Sequence, residues 1–327
     1  MRDGDGAVLV TGGAGFIGSH VVDALLARGY DVVCLDNFDD YYDPAVKRRN
    51  LSEALRSKRF ALIEGDIRDP GALARVFAGR PISRVFHAAA RAGVRPSLQL
   101  PLLYEEVNVR GTLQLLEVCK STGVRNFVFA SSSSVYGACE RIPFRESESE
   151  LRPISPYAAT KLAGEYLCRT YAALYGIPIT CVRLFTVYGP RQRPEMAIHH
   201  FVRLVDQGLP VPVYGDGTAR RDFTYVDDAV AGILAALERP HAFEVVNLGV
   251  SQVVELQEVI RLIEEAVGKP ARIEWHPMQA GDVPVTFADI GKAISLLGYA
   301  PRTTIKEGIA AFVRWYRSAA GLGGAAS

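Results

Sequence analysis

Tyr157 and Lys161 stand four residues apart in SPYAATKLAGEY, a spacing that sets both side chains on one face of a helix. A phenol near its ordinary pKa of about 10 is a poor base at neutral pH. A neighbouring ammonium favours the phenolate, so the pair can take a proton from a hydroxyl. Tyr-x-x-x-Lys is common by chance, and its weight depends on its surroundings. Upstream lies FASSSSVYG, with Ser132 25 residues before the tyrosine. Near the start, VLVTGGAGFIGSH sets Gly12, Gly15 and Gly18 between an apolar run and a helix-like stretch. Glycines there let the backbone turn tightly and approach a pyrophosphate at a helix N-terminus. Asp36 ends the next apolar run, 18 residues beyond Gly18. A carboxylate at that point accepts hydrogen bonds from a ribose diol and repels a 2′-phosphate, favouring NAD over NADP.

The elements that must position these groups recur as short apolar runs, each followed by a helix-like stretch. They span 7–12, 31–36, 60–66, 84–90, 126–132 and 180–189. Their hydrophobicity is continuous rather than alternating, as in strands buried on both faces. Alternation with helices predicts right-handed crossovers and a doubly wound parallel α/β sheet. After residue 188 the pattern loosens into Pro- and Gly-rich connections, and a strand-like EVVNLG at 244–249 returns to the main sheet. The expected organisation is a dinucleotide-binding domain of 1–187 plus about 223–250. A smaller mixed α/β lobe is then built from 188–222 and 251–327. Two long helices are expected at about 102–120 and 157–175.

Composition narrows the class. The 327 residues are 49% hydrophobic and 22% charged, with net charge +1 and no long basic run, which argues against a nucleic-acid footprint. Five scattered cysteines without a C-x-x-C argue against a disulfide framework or a zinc site and suit a reducing cytoplasm. No run of about 18 apolar residues and no charged-then-apolar leader is present, so neither membrane nor metal is expected.

The spacing G-x-x-G-x-x-G, the serine run and the Tyr–Lys pair together resemble the extended short-chain dehydrogenase/reductase family over nearly the whole chain. The resemblance implies a Rossmann domain in which Gly12, Gly15, Phe16, Ile17, Gly18, Asp36, Asn37 and Asn108 hold NAD. Asp66 and Ile67 would then flank the adenine, and Ala88, Ala89 and Ala90 would line the cofactor. His87, just before those alanines in HAAARAGVRPS, reads as a strand-end residue rather than a catalyst. The family places at Ser132 the hydroxyl that completes a triad with Tyr157 and Lys161. Dehydratases of the family carry an Asp-Glu pair, and decarboxylases a Glu, where this chain has Ser133 and Ser134. Elimination needs a carboxylate to shuttle a proton, so epimerisation through a transient ketone is the most economical expectation.

The substrate lobe resembles that of UDP-sugar 4-epimerases, and more narrowly of UDP-glucuronate 4-epimerases, through DNFDDYYDP, RAGVRPSL, FTVYGPRQRPEMA and MQAGDVP. That likeness implies uracil between Val213 and Tyr214, a diphosphate at Arg221, Gln279 near the phosphates and Asp282 on the uridine ribose. Thr186, Ser133, Ser134 and Arg193 would meet the sugar, and a guanidinium with hydroxyls suits a C6 carboxylate. The alternative for Arg193 is a loop arginine paired with Glu195. Rival readings are a 4-epimerase for neutral sugars, a reductase with net redox change, and a non-catalytic NAD-binding protein. Arg91 and Arg95, where relatives commonly have Gln at the first position, receive no catalytic role. Pairing of the two long helices in such relatives implies a homodimer through a four-helix bundle.

Overall fold

The computed structural model describes residues 6–277 and 283–323. Six strands follow the expected order: β1 (Ala7–Thr11), β2 (Val32–Asp36), β3 (Phe60–Glu64), β4 (Ile82–His87), β5 (Asn126–Ser132) and β6 (Ile179–Leu184). With the Phe243–Leu248 strand they form one seven-stranded sheet, ordered from that strand through β6, β5, β4, β1 and β2 to β3. Every pairing in it is parallel. β1, β2, β5 and β6 are buried along their whole length, which is why they read as unbroken apolar runs. Strand order reverses between β1 and β4, and there the carboxyl ends splay to open a crevice.

The turn out of β1 needs its glycines. Gly12 has φ +68°, and a Cβ there would sit 2.7 Å from the Ala89 nitrogen. A Cβ on Gly18 would sit 2.1 Å from the Gly12 carbonyl oxygen, so the Phe16–Ala27 helix is packed directly onto the turn. The Pro156–Tyr175 helix is set by its own sequence. The Ser155 hydroxyl accepts from the Ala158 N–H at 3.1 Å, Pro156 takes the first helical position, and Gly176 closes the other end at φ +67°. Tyr157 is thereby fixed in the first turn.

Two expectations are corrected. The 102–120 helix is interrupted: Pro101–Glu105 and Gly111–Cys119 are α-helical, and a π turn at Glu106–Arg110 joins them. The wider turn brings Asn108 inward, where its side chain is buried and fully bonded. The 180–189 run is also not one strand. The chain leaves the main sheet at Phe185, whose N–H donates to Leu248, and Thr186–Tyr188 pairs instead with Phe223–Tyr225. Beyond it the lobe contains a parallel pair, Pro210–Tyr214 with Arg272–His276, backed by the Ala197–Gln207 and Leu256–Val267 helices. Among the described residues no helix is long and apolar enough to cross a membrane.

Candidate active site

A cleft of about 420 Å³ opens over the carboxyl ends of β1 and β4. At one end lie Gly12, Gly15, Phe16, Ile17 and Gly18. The N-cap of the Phe16–Ala27 helix is Gly15, which has no side chain to cap the first turn. The first-turn N–H groups have no intrahelical acceptor and face the cleft as a site for an anion. Asp36 at the tip of β2 is 7% exposed. Burial raises its carboxyl above the ordinary range, while the N–H groups of Phe38 and Ala14, each donating at 2.9 Å, pull it down. Each oxygen keeps a lone pair for a diol in the cleft. Further along, Asn37 donates to Asp66 at 2.9 Å. Burial works against the Asp66 charge, but hydrogen bonds from Arg68 and Asn37 outweigh it and hold the carboxyl low. Ile67, Ala88, Ala89 and Ala90 complete this wall. The donor set fits a dinucleotide: uncapped N–H groups for a diphosphate, a carboxylate for a ribose, and small apolar side chains where a ring must lie close.

Asn108 departs from expectation. It does not line the cleft but is 2% exposed behind it. Its amide donates to the Arg91 carbonyl and the Thr160 hydroxyl, each at 3.0 Å, and accepts from the Arg91 N–H at 2.8 Å. It ties the loop after β4 to the tyrosine helix.

His87 is the strand-end residue expected, and its partners fix its tautomer. The Thr112 hydroxyl donates to the Asn108 carbonyl at 2.6 Å, so it must accept from His87 Nε2–H, 2.9 Å away. Nδ1 then accepts from the Thr11 hydroxyl at 2.7 Å, and that oxygen accepts the Ala89 N–H. Burial, with the Lys161 charge adding to it, drops the imidazole pKa to about 3. The ring is neutral and committed.

Across the cleft stand Ser132, Tyr157 and Lys161. The four serines are sorted by their bonds. Ser131 donates to Glu165 at 2.5 Å, whereas Ser132 accepts from the Ser134 N–H and donates to its hydroxyl, each at 3.1 Å, and faces the Tyr157 phenol. Burial raises the Tyr157 pKa; the Ser132 hydroxyl and then the Arg193 charge lower it. Burial likewise takes Lys161 down to about 8. Its Nζ donates to the Ala130 carbonyl at 2.7 Å and lies 5.0 Å from the centre of the Phe129 ring. Beside the expected Lys161, Arg193 supplies a cation whose charge reaches the phenol, and the Lys161 ammonium also ties the tyrosine helix to the end of β5. One helical turn further, Glu165 forms a buried ion pair with Arg183, 2.7 Å from Nη2 and 2.9 Å from Nε. The Arg183 guanidinium covers the Tyr136 ring at 4.8 Å.

Ser133, Ser134, Thr186 and Arg193 share the same cleft. Arg193 Nε lies 3.0 Å from Glu195 Oε1, within ion-pair distance but out of line for a hydrogen bond, and so is a buried donor without an acceptor. Its loop is braced to the helix at the cofactor end. His20 Nε2 meets the Pro190 carbonyl at 2.9 Å, and Arg191, at φ +64°, pairs with Asp23 at 2.7 Å. Among the described residues, Val213, Tyr214 and Arg221, expected to meet the uridine diphosphate, are each engaged within the protein. The Val213 side chain is fully buried and presents no exposed surface to the cleft. Tyr214 lies instead under Arg95, 4.9 Å from ring centre to guanidinium, and beside His276. Arg221 turns to the carbonyls of Arg220 and Pro284. Gln279 and Asp282 lie outside the described residues.

A profile described as the NAD dependent epimerase/dehydratase family matches residues 8–249. The chain belongs to that family. Within it, a UDP-glucuronate 4-epimerase of Thermodesulfobacterium geofontis is 44% identical over 311 residues, covering 95% of this chain and 96% of its own. The UDP-glucuronic acid 4-epimerase of Bacillus cereus, crystallised with UDP-glucuronic acid and NAD, superposes with TM-score 0.89 at 38% identity, covering 96% of this chain and 99% of its own. A UDP-glucose 4-epimerase of Thermotoga maritima with UDP-glucose also reaches 0.89, at 34% identity and with 96% and 99% covered. Backbone likeness is thus equal for an acidic and a neutral sugar, and selectivity within the family must be sought in side chains.

Proposed function

We propose that this protein interconverts UDP-glucuronate and UDP-galacturonate by epimerisation at C4, using a resident NAD. The observation that carries the reading is Arg193, which shares the cleft with Thr186, Ser133 and Ser134 and, though ion-paired with Glu195, keeps a buried Nε–H without a hydrogen bond, where acidic catalysts would serve other reactions. Two of the three relatives just described are named for, or hold, the same acidic sugar, which supports it.

Tyr157 Oη takes the proton of the C4 hydroxyl, aligned by Ser132. Bound NAD accepts a hydride from C4 and gives it back to the opposite face of the ketone. Tyr157 returns its proton to the inverted oxygen, so neither proton nor electron is gained overall. Burial opposes the phenolate, and Arg193 and Ser132 offset that penalty only in part. The 4-ketone is a β-keto acid, prone to lose CO₂ when its C5–C6 bond aligns with the carbonyl. Arg193, with Thr186 and Ser134, holds the carboxylate by charge-assisted hydrogen bonds and keeps that bond out of alignment.

Proton NMR on purified protein and UDP-glucuronate, without added NAD, tests the reading. UDP-galacturonate should appear with no pentose; inertness there with conversion of UDP-glucose would overturn it in favour of a neutral-sugar enzyme. Arg193→Ala should slow turnover and release 4-ketopentose. The five cysteines are unpaired and four are buried, which suits the cytoplasm. Leu102, Leu113, Tyr166, Leu174 and Tyr175 are exposed on the mutually packed helices of 101–119 and 156–175, a face that suits a homodimer through four helices. Light scattering on the purified protein should give twice the chain mass.

A further inference from the structure

Arg91, in the loop after β4, has a partner that its sequence neighbourhood does not suggest. Its Nη1 forms an ion pair with Asp39, and its guanidinium lies 5.0 Å from the centre of the Tyr41 ring. Arg193 lies 5.5 Å from the centre of the same ring. The Tyr41 hydroxyl faces Glu195, the acid beside Arg193. One ring therefore touches two guanidiniums, each with its own carboxylate: Asp39–Arg91 and Arg193–Glu195.

The ring is itself well placed. Tyr41 N–H donates to Asp39 Oδ1 at 2.9 Å, Asp39 N–H to Asn37 Oδ1 at 3.0 Å, and Phe38 N–H to Asp36 Oδ1 at 2.9 Å. Lys47 Nζ donates to the Asp39 carbonyl at 2.5 Å. This run of side-chain-to-backbone turns carries rigidity from Asp36 out to Tyr41. An arginine side chain in water loses much rotamer freedom when it binds an anion. Arg193, resting on a fixed ring, has lost part of it already, and the partial desolvation strengthens its pull on a carboxylate.

We propose that Tyr41 is a positioning residue for uronate recognition: its ring, fixed through Asp39 and Arg91, holds Arg193 facing the C6 carboxylate and so sets the preference for acidic over neutral UDP-sugars. The inference rests on the uronate reading of Arg193 given above. The charge that Arg193 places on Tyr157 is consistent with a guanidinium kept in the cleft.

The test is titration calorimetry of the NAD-loaded protein with UDP-glucuronate and UDP-glucose, reading the ratio of the two Kd values. Tyr41→Leu removes the ring face and should lower the preference for UDP-glucuronate by about tenfold. Tyr41→Phe keeps the ring and should retain most of it; a loss as large as that of the leucine variant would overturn the stacking argument. Arg193→Ala serves as the reference. If it leaves the ratio unchanged, the uronate reading of Arg193 fails. If it collapses the ratio while Tyr41→Leu does not, Tyr41 is only part of the wall and this inference alone is overturned. Should the leucine variant not fold, Arg91→Gln removes the second guanidinium and its tie to Asp39; it should shift the ratio in the same direction, and an unchanged ratio overturns the proposal.

Discussion

Acidifying the solution should destabilise the protein through His87, and the size of the effect follows from its surroundings. The unfolded chain binds this proton near pH 6.5, whereas the folded ring refuses it until about pH 3. Stability from the neutral ring is complete above 6.5 and is lost as pH falls through that window, at about 1.36 kcal/mol per pH unit. At pH 5 the loss is about 2 kcal/mol. Asp222 acts in the opposite sense. Burial raises it from 3.8 to about 6, against hydrogen bonds from the Val250, Ala288 and Ser251 N–H groups. Its folded form takes up a proton first, a gain of about 1.4 kcal/mol at pH 5 that disappears as pH rises through 6. The two nearly cancel in the wild type, so a bare pH profile conceals both. His87→Gln offers a neutral donor and acceptor that cannot titrate. Urea unfolding of both proteins at pH 7.5 and 5.0 should show the variant losing about 2 kcal/mol less than the wild type between the two. Parallel losses would refute the assignment of a buried, neutral imidazole bonded to Thr11 and Thr112.

Tyr157→Phe should lower kcat by about 10²- to 10⁴-fold with little change in Kd for the UDP-sugar, measured by NMR turnover and calorimetry. Equal loss of both would make the phenol a binding group. Gly12→Ala would put a methyl 2.7 Å from the Ala89 nitrogen at φ +68°, and the purified protein should carry little NAD when assayed by absorbance after heat release. A full complement would show that the turn can yield. Glu165→Gln strands the Arg183 charge beneath Tyr136 and should reduce unfolding free energy by about 3 kcal/mol, read by urea titration. A change below about 1 kcal/mol would mean that Arg183 finds another way to be satisfied.

The parts of the site that lie at strand ends were legible in the chain because local sequence alone determines them. Asp36 ends β2, Gly12 opens the turn after β1, and Ser155-Pro156 starts the helix that holds Tyr157 and Lys161 at one spacing. His87 was legible as a strand end for the same reason. Groups placed by long-range packing were not. The family likeness implies Asn108 as a cofactor contact, but its side chain is buried in the π turn and bonded to Arg91 and Thr160. Val213 alternates into its sheet rather than out of it. Arg91 meets Asp39 across 52 residues, a pairing that neither stretch announces. Helical spacing shows that Lys161 shares a face with Tyr157, but not that its ammonium also donates to the Ala130 carbonyl.

The bracing of the Pro190–Arg191 turn against His20 and Asp23 has a thermodynamic corollary. Gly15, at the diphosphate end, and Asp23 belong to one stretch of helix, roughly 12 Å apart along its axis. A displacement of that rod is felt at both ends. Coupling of this kind is reciprocal, so any factor by which the dinucleotide changes the affinity for sugar is also the factor by which sugar changes the affinity for the dinucleotide. A lesion at the glycine turn that alters the dinucleotide's hold would then be read in sugar affinity too, in a region it never touches.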